Sequence, residues 1–369
     1  MKILLADKLS PNVRIFLDQH NFNTVEDSTL KDDSLLDALS QHQPEVLVVR
    51  STKVRAEHIQ ASSSLALIIR AGAGVNNIDM IEASRRGIFV ANCPGKNAIA
   101  VAELAFGHII NLDRKIADNV ADFRNGIWAK KKYSKAKGLH GKTLALFGLG
   151  AIGSEVLSRA KAFGMNVNVW SLPFSPEEAK ALQVNFAASP QDAVRGADIL
   201  SVHLPLVDAT RGLVNSEILS LLNDNAYLIN TSRGELVDEE ALQQAIIDKN
   251  IHAGIDVFCN EPAASEKTVS SPLTNNPNVY VTHHIGASTN QATEAIADAV
   301  ISIVHDWKTT GSVQNCVNLA KDSPADHCIT IRHADKVGVL ANILNLLKQL
   351  GHNIQEMENI IFQGGFSAC

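Results

Sequence analysis

The chain is poor in aromatic residues, with 3 Trp, 3 Tyr and 12 Phe among 369 positions. A surface that stacks nucleic-acid bases needs more of them, and a net charge of −6 removes a global basic footprint as well. No nucleic-acid partner is expected. Long apolar runs are also missing. The opening "MKILLADKLSPNV" is too short in apolar residues for a signal peptide or a membrane span, so no membrane partner is expected either. The 5 cysteines (Cys93, Cys259, Cys316, Cys328, Cys369) are odd in number, scattered and without a CxxC pair. That pattern suits ordinary small residues in a reduced, cytoplasmic compartment, with no metal site.

Ala, Val, Ile and Leu are plentiful, and with 46% hydrophobic residues the chain can bury a sizeable core. Its length suggests more than one domain. Short β-branched runs ("KILLA", "VLVVR", "ALIIR", "GIFVAN") alternate with helical stretches. The alternation resumes with "TLALFGLG", "NVNVW", "ADILSVHL", "AYLINTS", "IHAGIDVF" and "VYVTHH". It predicts parallel sheets built from βαβ units, with too many strands for one sheet. The expected fold class is α/β: two doubly wound, parallel-sheet, Rossmann-like domains followed by a truncated α+β segment. The first sheet is expected over about 1–97 and the second over about 98–285. One helix is expected from Ala98 to Val120. Another is expected from Ser288 to Trp307, opened by a capping box of Ser288 and Gln291. A Gly/Ser/Asn/Pro-rich linker then leads to a last piece, 327–369. There a strand at Cys328–Arg332, a helix at Val337–Leu350 and two more strand-like runs are expected.

The sharpest motif is "LALFGLGAIGSEVLSRA", in which Gly148, Gly150 and Gly153 fill GxGxxG between a strand and a helix. The first glycine permits a tight turn, the second lets backbone approach a pyrophosphate, and the third lets helix pack on strand. The helix N-terminus supplies N–H donors. A dinucleotide is therefore expected here. At the end of "NVNVW", where an acid would hold the adenosine ribose, stands Ser171. It hydrogen-bonds a hydroxyl without repelling a 2′-phosphate, but no nearby Arg or Lys welcomes that phosphate. NAD is the expected cofactor and NADP the alternative.

Three later strands end in polar residues: "LINTSRGELVDEEAL" with Arg233, "AGIDVFCNEP" with Asp256 and Glu261, and "YVTHHIGAST" with His283 and His284. Residues just past the carboxyl ends of parallel strands line the ligand crevice, so all can meet one ligand. Hydride transfer at C2 of a hydroxy acid leaves one proton to move. A histidine can move it, a carboxylate beside the histidine favours imidazolium, and an arginine can bind the substrate carboxylate through two parallel bonds. Taken singly, each is an ordinary surface or salt-bridging residue. Their joint occurrence after a dinucleotide motif favours catalysis. Neighbours in an extended segment face opposite ways, so only one histidine is expected to point into the crevice.

These segments, together with "RAGAGVNNID" and "VHLPL", resemble the D-2-hydroxyacid dehydrogenases over nearly the whole chain. The resemblance implies that Arg233 binds the substrate carboxylate, His284 is the acid/base and Glu261 is its partner. It implies cofactor contacts at Gly148, Gly150, Ala151, Ile152, Gly153, Ser171, His203, Thr231, Ser232, Asp256 and Gly286. It also implies a substrate domain of 1–98 plus 287–312, a cofactor domain of 99–286 and a linker of 313–326, with closure of the cleft between the first two domains. The family usually has proline where this chain has His283.

For the substrate, the resemblance points to the backbone N–H groups of Gly72, Ala73 and Gly74. It also points to Arg50, which resembles an arginine that meets a substrate phosphate; the plain alternative is a surface arginine. The run Lys130, Lys131, Lys132, Lys135 and Lys137 is either a solvated face or a source of positive potential for a phosphorylated acid. The segment "HCITIRHADKVGVLANILNLLKQLGHNIQEMENI" resembles the start of an ACT regulatory module, in which His333, Asp335 and Asn353 would meet L-serine. Asp335 could equally cap the following helix. The run stops about where a third strand would begin, so a shortened module with a poor serine response is expected. The resemblance further implies a homodimer or homotetramer, with the 98–120 helix as a candidate interface. Competing functions are a glyoxylate or hydroxypyruvate reductase and a non-catalytic NAD-sensing protein on the same scaffold.

Overall fold

In the computed structural model, residues 1–262, 268, 271–320, 326–363 and 367–368 are described. The chain divides into two compact units, Met1–Cys316 and Val317–Cys369. Part of the expected linker, residues 321–325, and residues 364–366 and 369 lie outside the described residues.

The first unit opens with strands β1 (Lys2–Leu5), β2 (Asn23–Glu26), β3 (Val46–Val49), β4 (Leu67–Arg70) and β5 (Phe89–Asn92). Helices α1 (Pro11–Gln19), α2 (Asp32–His42), α3 (Ala56–Gln60) and α4 (Met80–Arg85) fill the crossovers. All pairings are parallel, in the order β2-β1-β3-β4-β5. The chain order reverses between β1 and β3, which opens a crevice at their carboxyl ends. Val46–Val49 is buried at every residue, as a parallel strand covered on both faces must be.

Helix α5 (Ala98–Arg114) leads to α6 (Ile116–Arg124) and α7 (Lys130–Tyr133). The single helix expected over 98–120 is therefore two, broken at Lys115, whose backbone is left-handed (φ 50°). The second sheet follows, with β6 (Thr143–Phe147), α8 (Ala151–Ala162), β7 (Asn166–Trp170), α9 (Pro176–Ala181), β8 (Asn185–Phe186), α10 (Pro190–Val194) and β9 (Ile199–Val202). It continues with α11 (Ser216–Leu221), β10 (Tyr227–Asn230), α12 (Glu239–Lys249), β11 (His252–Ile255) and β12 (Val279–Val281). These strands are also all parallel, in the order β12-β11-β10-β9-β6-β7-β8, with the reversal between β6 and β9. The buried face of α5 packs with Leu144, Leu146, Ile199 and Ile229 of this sheet.

Helix α13 (Asn290–Thr310) closes the unit by returning to the first sheet, where Ile296, Val300, Ile303 and Val304 share a core with Ile3, Leu5, Val46 and Val48. Burying each such side chain is worth about 1.5–3 kcal/mol. Its cap is Thr289, whose hydroxyl accepts from the Ala292 N–H, and not the expected Ser288, whose N–H donates to the Ile285 carbonyl inside the preceding turn.

In the second unit, β13 (His333–Ala334) pairs antiparallel with β14 (Ser367–Ala368), and α14 (Val339–Gln349) lies between them in sequence. The strand expected at Cys328–Arg332 is irregular, with pairing only at the next two residues. Gly338, at φ 86°, precedes α14 with no side-chain cap, so Asp335 does not cap that helix. His333 is half-buried and engages the Ala334 carbonyl and Asn359 through its two ring nitrogens, while Asp335 and Asn353 are exposed. No helix among the described residues is long and apolar enough to cross a membrane.

Candidate active site

The glycine loop follows β6 at the reversal of the second sheet. A Cβ on Gly148 (φ 91°) would lie 2.4 Å from the His203 carbonyl oxygen, and one on Gly153 would lie 2.0 Å from that of Gly148. Both positions are closed to any side chain. Gly150 is different: nothing lies within 4 Å of its missing Cβ. It stands immediately before the first turn of α8, which carries no acidic residue. Open space in front of a helix N-terminus fits a pyrophosphate. Ala151 and Ile152 form that first turn. The Ser171 hydroxyl accepts from the Leu149 N–H at 3.0 Å, so it braces the loop as well as standing at the ribose position.

Two buried polar atoms nearby have no partner among the described residues, His203 Nδ1 and Thr231 Oγ1. Buried polar atoms are rarely left unpaired, and this pair fits a ligand that would satisfy them. Burial pushes the His203 imidazole down to about 3, which keeps it neutral and unsuited to proton transfer near neutral pH. Its Nε2 pairs with Ser201 Oγ at 2.7 Å. The Ser232 hydroxyl is spent on the Val202 carbonyl at 2.8 Å. The residues lining the crevice thus fit a dinucleotide.

At the far end of the crevice, His284 Nδ1 lies 2.7 Å from Glu261 Oε2. That hydrogen bond is the main reason the His284 imidazole holds its proton above the ordinary value, against an opposing effect of burial. Burial alone would raise Glu261, but the His284 bond and charge bring it below the usual carboxylate range. The extended segment ends sooner than expected. β12 stops at Val281, and His284 is left-handed (φ 50°). The chain turns at the two histidines, so strand alternation does not set their directions; both are exposed, and His284 is the one that meets Glu261. Asp256 and Gly286, both expected as cofactor contacts, bind each other: the Gly286 N–H donates to Asp256 Oδ2 at 2.8 Å. They organise the turn that carries His284.

Cations gather where the first sheet meets the second. Arg233 donates to the Ser232 carbonyl at 2.6 Å, and its Nη2 would lie 2.6 Å from a Cβ on Gly74. The glycine lets this arginine reach across. Arg70, at the end of β4, has a buried Nε without a partner among the described residues. Burial first, then repulsion from Arg233 and Arg50, lowers its hold on its proton. Its Nη1 occupies the space of a Gly72 side chain. Of the three N–H groups expected to meet substrate, that of Gly72 is already given to the Arg70 carbonyl at 2.8 Å, while those of Ala73 and Gly74 meet no acceptor among the described residues. Arg50 is placed by Asp7, which accepts from the Arg50, Ser51 and Thr52 N–H groups at 2.6, 3.1 and 3.0 Å.

Arg70 and Asp7 were not expected from the sequence, although each stands at a strand end as Arg50 does. The lysine run lies elsewhere. Lys132, Lys135 and Lys137 line a cavity with Tyr227 and His252, which begin β10 and β11. This is the edge of the sheet opposite the crevice, so in its own chain the run does not surround the substrate end.

This combination of two doubly wound parallel sheets, a dinucleotide loop and a paired His–Glu with arginines defines an oxidoreductase scaffold. Residues 106–286 match the family model for the D-isomer specific 2-hydroxyacid dehydrogenase NAD-binding domain. The chain belongs to the D-isomer specific 2-hydroxyacid dehydrogenases. It is 34% identical to the D-3-phosphoglycerate dehydrogenase of Methanocaldococcus jannaschii over 97% of its length, spanning 65% of that relative. It is 42% identical to the hydroxypyruvate reductase of Thermotoga maritima over 67% of its length and 79% of that relative. The NAD+-bound crystal structure of 3-phosphoglycerate dehydrogenase from Entamoeba histolytica superimposes with a TM-score of 0.72 at 26% identity, covering 86% of this chain and 99% of that one.

Proposed function

We propose that the chain is a D-3-phosphoglycerate dehydrogenase, interconverting 3-phosphoglycerate and 3-phosphohydroxypyruvate with NAD at the entry to serine biosynthesis. The observation that carries this is the cation cluster of Arg50, Arg70 and Arg233. The charges of Arg233 and Arg50 both act on Arg70, which keeps a buried donor unpaired among the described residues. A substrate bearing both a carboxylate and a phosphate matches that excess of charge, and a mono-anionic keto acid does not.

The nicotinamide, when bound, takes or gives the hydride. Arg233 and the Ala73–Gly74 N–H groups hold the carboxylate, with Arg233 polarising the keto oxygen. His284 removes the hydroxyl proton in oxidation and returns it in reduction, while Glu261 fixes its tautomer and stabilises the imidazolium. NAD is preferred over NADP because the end of β7 offers Ser171 and no arginine.

Assay of the purified protein with NADH against phosphohydroxypyruvate, hydroxypyruvate and glyoxylate tests the assignment. The highest kcat/KM is expected with the phosphorylated acid. Preference for hydroxypyruvate would favour the reductase function, for which the Thermotoga maritima relative speaks. A homodimer is proposed through α6 and the segment after it, where Val120, Phe123, Ile127 and Trp128 are exposed. L-serine is proposed as a weak effector of the second unit. Its half-buried His333 is already engaged by neighbouring groups.

A further inference from the structure

Beneath the turn that carries His284 runs a largely buried chain of polar groups, Asp256, Thr282 and His108. Asp256 is 1% exposed. Its carbonyl oxygen accepts the His284 N–H at 2.9 Å. Its Oδ1 accepts the Ile285 N–H at 2.9 Å and its Oδ2 the Gly286 N–H at 2.8 Å. One residue therefore grips three consecutive N–H groups of a turn whose first member is left-handed, a conformation uncommon outside glycine.

Two further side chains complete the grip. The Thr282 hydroxyl donates to Asp256 Oδ1 at 2.5 Å. Its proton is thereby committed, so toward His108 Nε2, 3.1 Å away, the oxygen acts as acceptor and the ring must donate. His108 comes from α5 and is 4% exposed. It reaches the site only because β11 has glycine there: a Cβ on Gly254 would lie 2.6 Å from His108 Cβ. Burial, against a weaker opposing pull from Asp256, keeps the ring neutral, in the single-donor form this chain of bonds needs.

We propose that Thr282 and His108 are positioning residues for the acid/base histidine, acting through Asp256 to hold the 284–286 turn so that the His284 imidazole meets both Glu261 and the crevice. This rests on His284 being the acid/base. Loss of the Thr282 hydroxyl frees one carboxylate oxygen to shift, and the turn shifts with it. Misplacing a reacting group by about 1 Å costs roughly 100-fold in rate.

The test is a double-mutant cycle of Thr282→Val and His108→Leu, measured by steady-state reduction of phosphohydroxypyruvate and by NADH binding through fluorescence. Thr282→Val is expected to lower kcat by about 10- to 100-fold while the NADH Kd stays within about 3-fold. Thr282→Ser should restore most of the rate. His108→Leu should lower kcat less, and the double variant should resemble Thr282→Val alone, because the two act in one chain of bonds. Unchanged kcat in folded Thr282→Val, or additive losses, overturns the proposal. Should Thr282→Val not fold, unchanged kcat in folded His108→Leu overturns it equally. Full turnover in His284→Asn would instead overturn the acid/base assignment and the positioning role with it, an outcome distinct from the first two.

Discussion

The two ends of the crevice are built on opposite principles. At the His284 end, charge is matched: imidazole and carboxylate meet at 2.7 Å, and each shifts the other toward its ionised form. At the arginine end, charge is unmatched: burial, then the charges of Arg233 and Arg50, weaken the hold of Arg70 on its proton, with Cys93 and Asp7 opposing them. The first end is self-sufficient without substrate. The second stores repulsion that an anion relieves. A group that must transfer a proton needs a fixed partner, whereas a group that must capture a ligand is better left unpaired.

That contrast can be broken from either side. The largest effect is expected from His284→Asn, which should reduce kcat by about 100- to 10,000-fold with little change in NADH affinity, read by steady-state kinetics and fluorescence titration. Glu261→Gln comes next, with a loss of about 10- to 100-fold and a change in the pH profile. Glu261 raises the proton affinity of His284 above its ordinary value near 6.5. The stability from the pair is complete below that ordinary value, so long as Glu261 stays ionised. It is lost as pH rises through the raised one, and at the acid end as pH falls through the lowered Glu261 value. Keto-acid reduction, which needs imidazolium, should therefore begin to fail at lower pH in Glu261→Gln than in the parent.

At the other end, Arg70→Met should raise KM for phosphohydroxypyruvate by about 10-fold or more, since a charge-assisted bond is worth about 1.5–3 kcal/mol. The same variant should leave Tm unchanged or raise it, because a buried repulsion is removed. Phosphate or sulfate should raise the parent's Tm by mass action and do less for the variant, which calorimetry would show. An Arg70→Met protein with parental KM and lower Tm would recast Arg70 as structural. The smallest effect is expected from Asp7→Asn. It loosens the turn that holds Arg50 and should cost about 1–3 kcal/mol of stability with a few-fold rise in KM, measured by denaturant titration and kinetics.

Much of this was legible from local signals. The β-branched runs became parallel strands, with Val46–Val49 buried on both faces, and GxGxxG between strand and helix became the loop that Gly148 and Gly153 require by close contact. Strand-end logic also singled out Arg233, Glu261 and His284, and the fold brings the last two within 2.7 Å of each other. What escaped depended on neighbours distant in sequence. Arg70 and Arg50 stand at adjacent strand ends, yet Arg70 gains meaning only from the fold that buries it beside Arg233. The lysine run read either as a solvated face or as a source of positive potential for an anion; the strand direction places Lys132, Lys135 and Lys137 at the edge of the sheet opposite the crevice. The helix break at Lys115 and the shift of the α13 cap from Ser288 to Thr289 are one-residue decisions that periodicity does not resolve.

His283 and His284 divide the matter. Sequence alone determined that a histidine would stand past a strand end beside a carboxylate-bearing loop, because the order of strands and turns is written in the alternation of apolar and polar residues. Tertiary structure alone decided which way it faces. Asp256, 28 residues before His284, binds the turn at three N–H groups and holds His284 left-handed, with Thr282 and His108 behind it. That conformation is uncommon for any residue but glycine, even though histidine visits it more than most; here it is held by hydrogen bonds from residues distant in sequence.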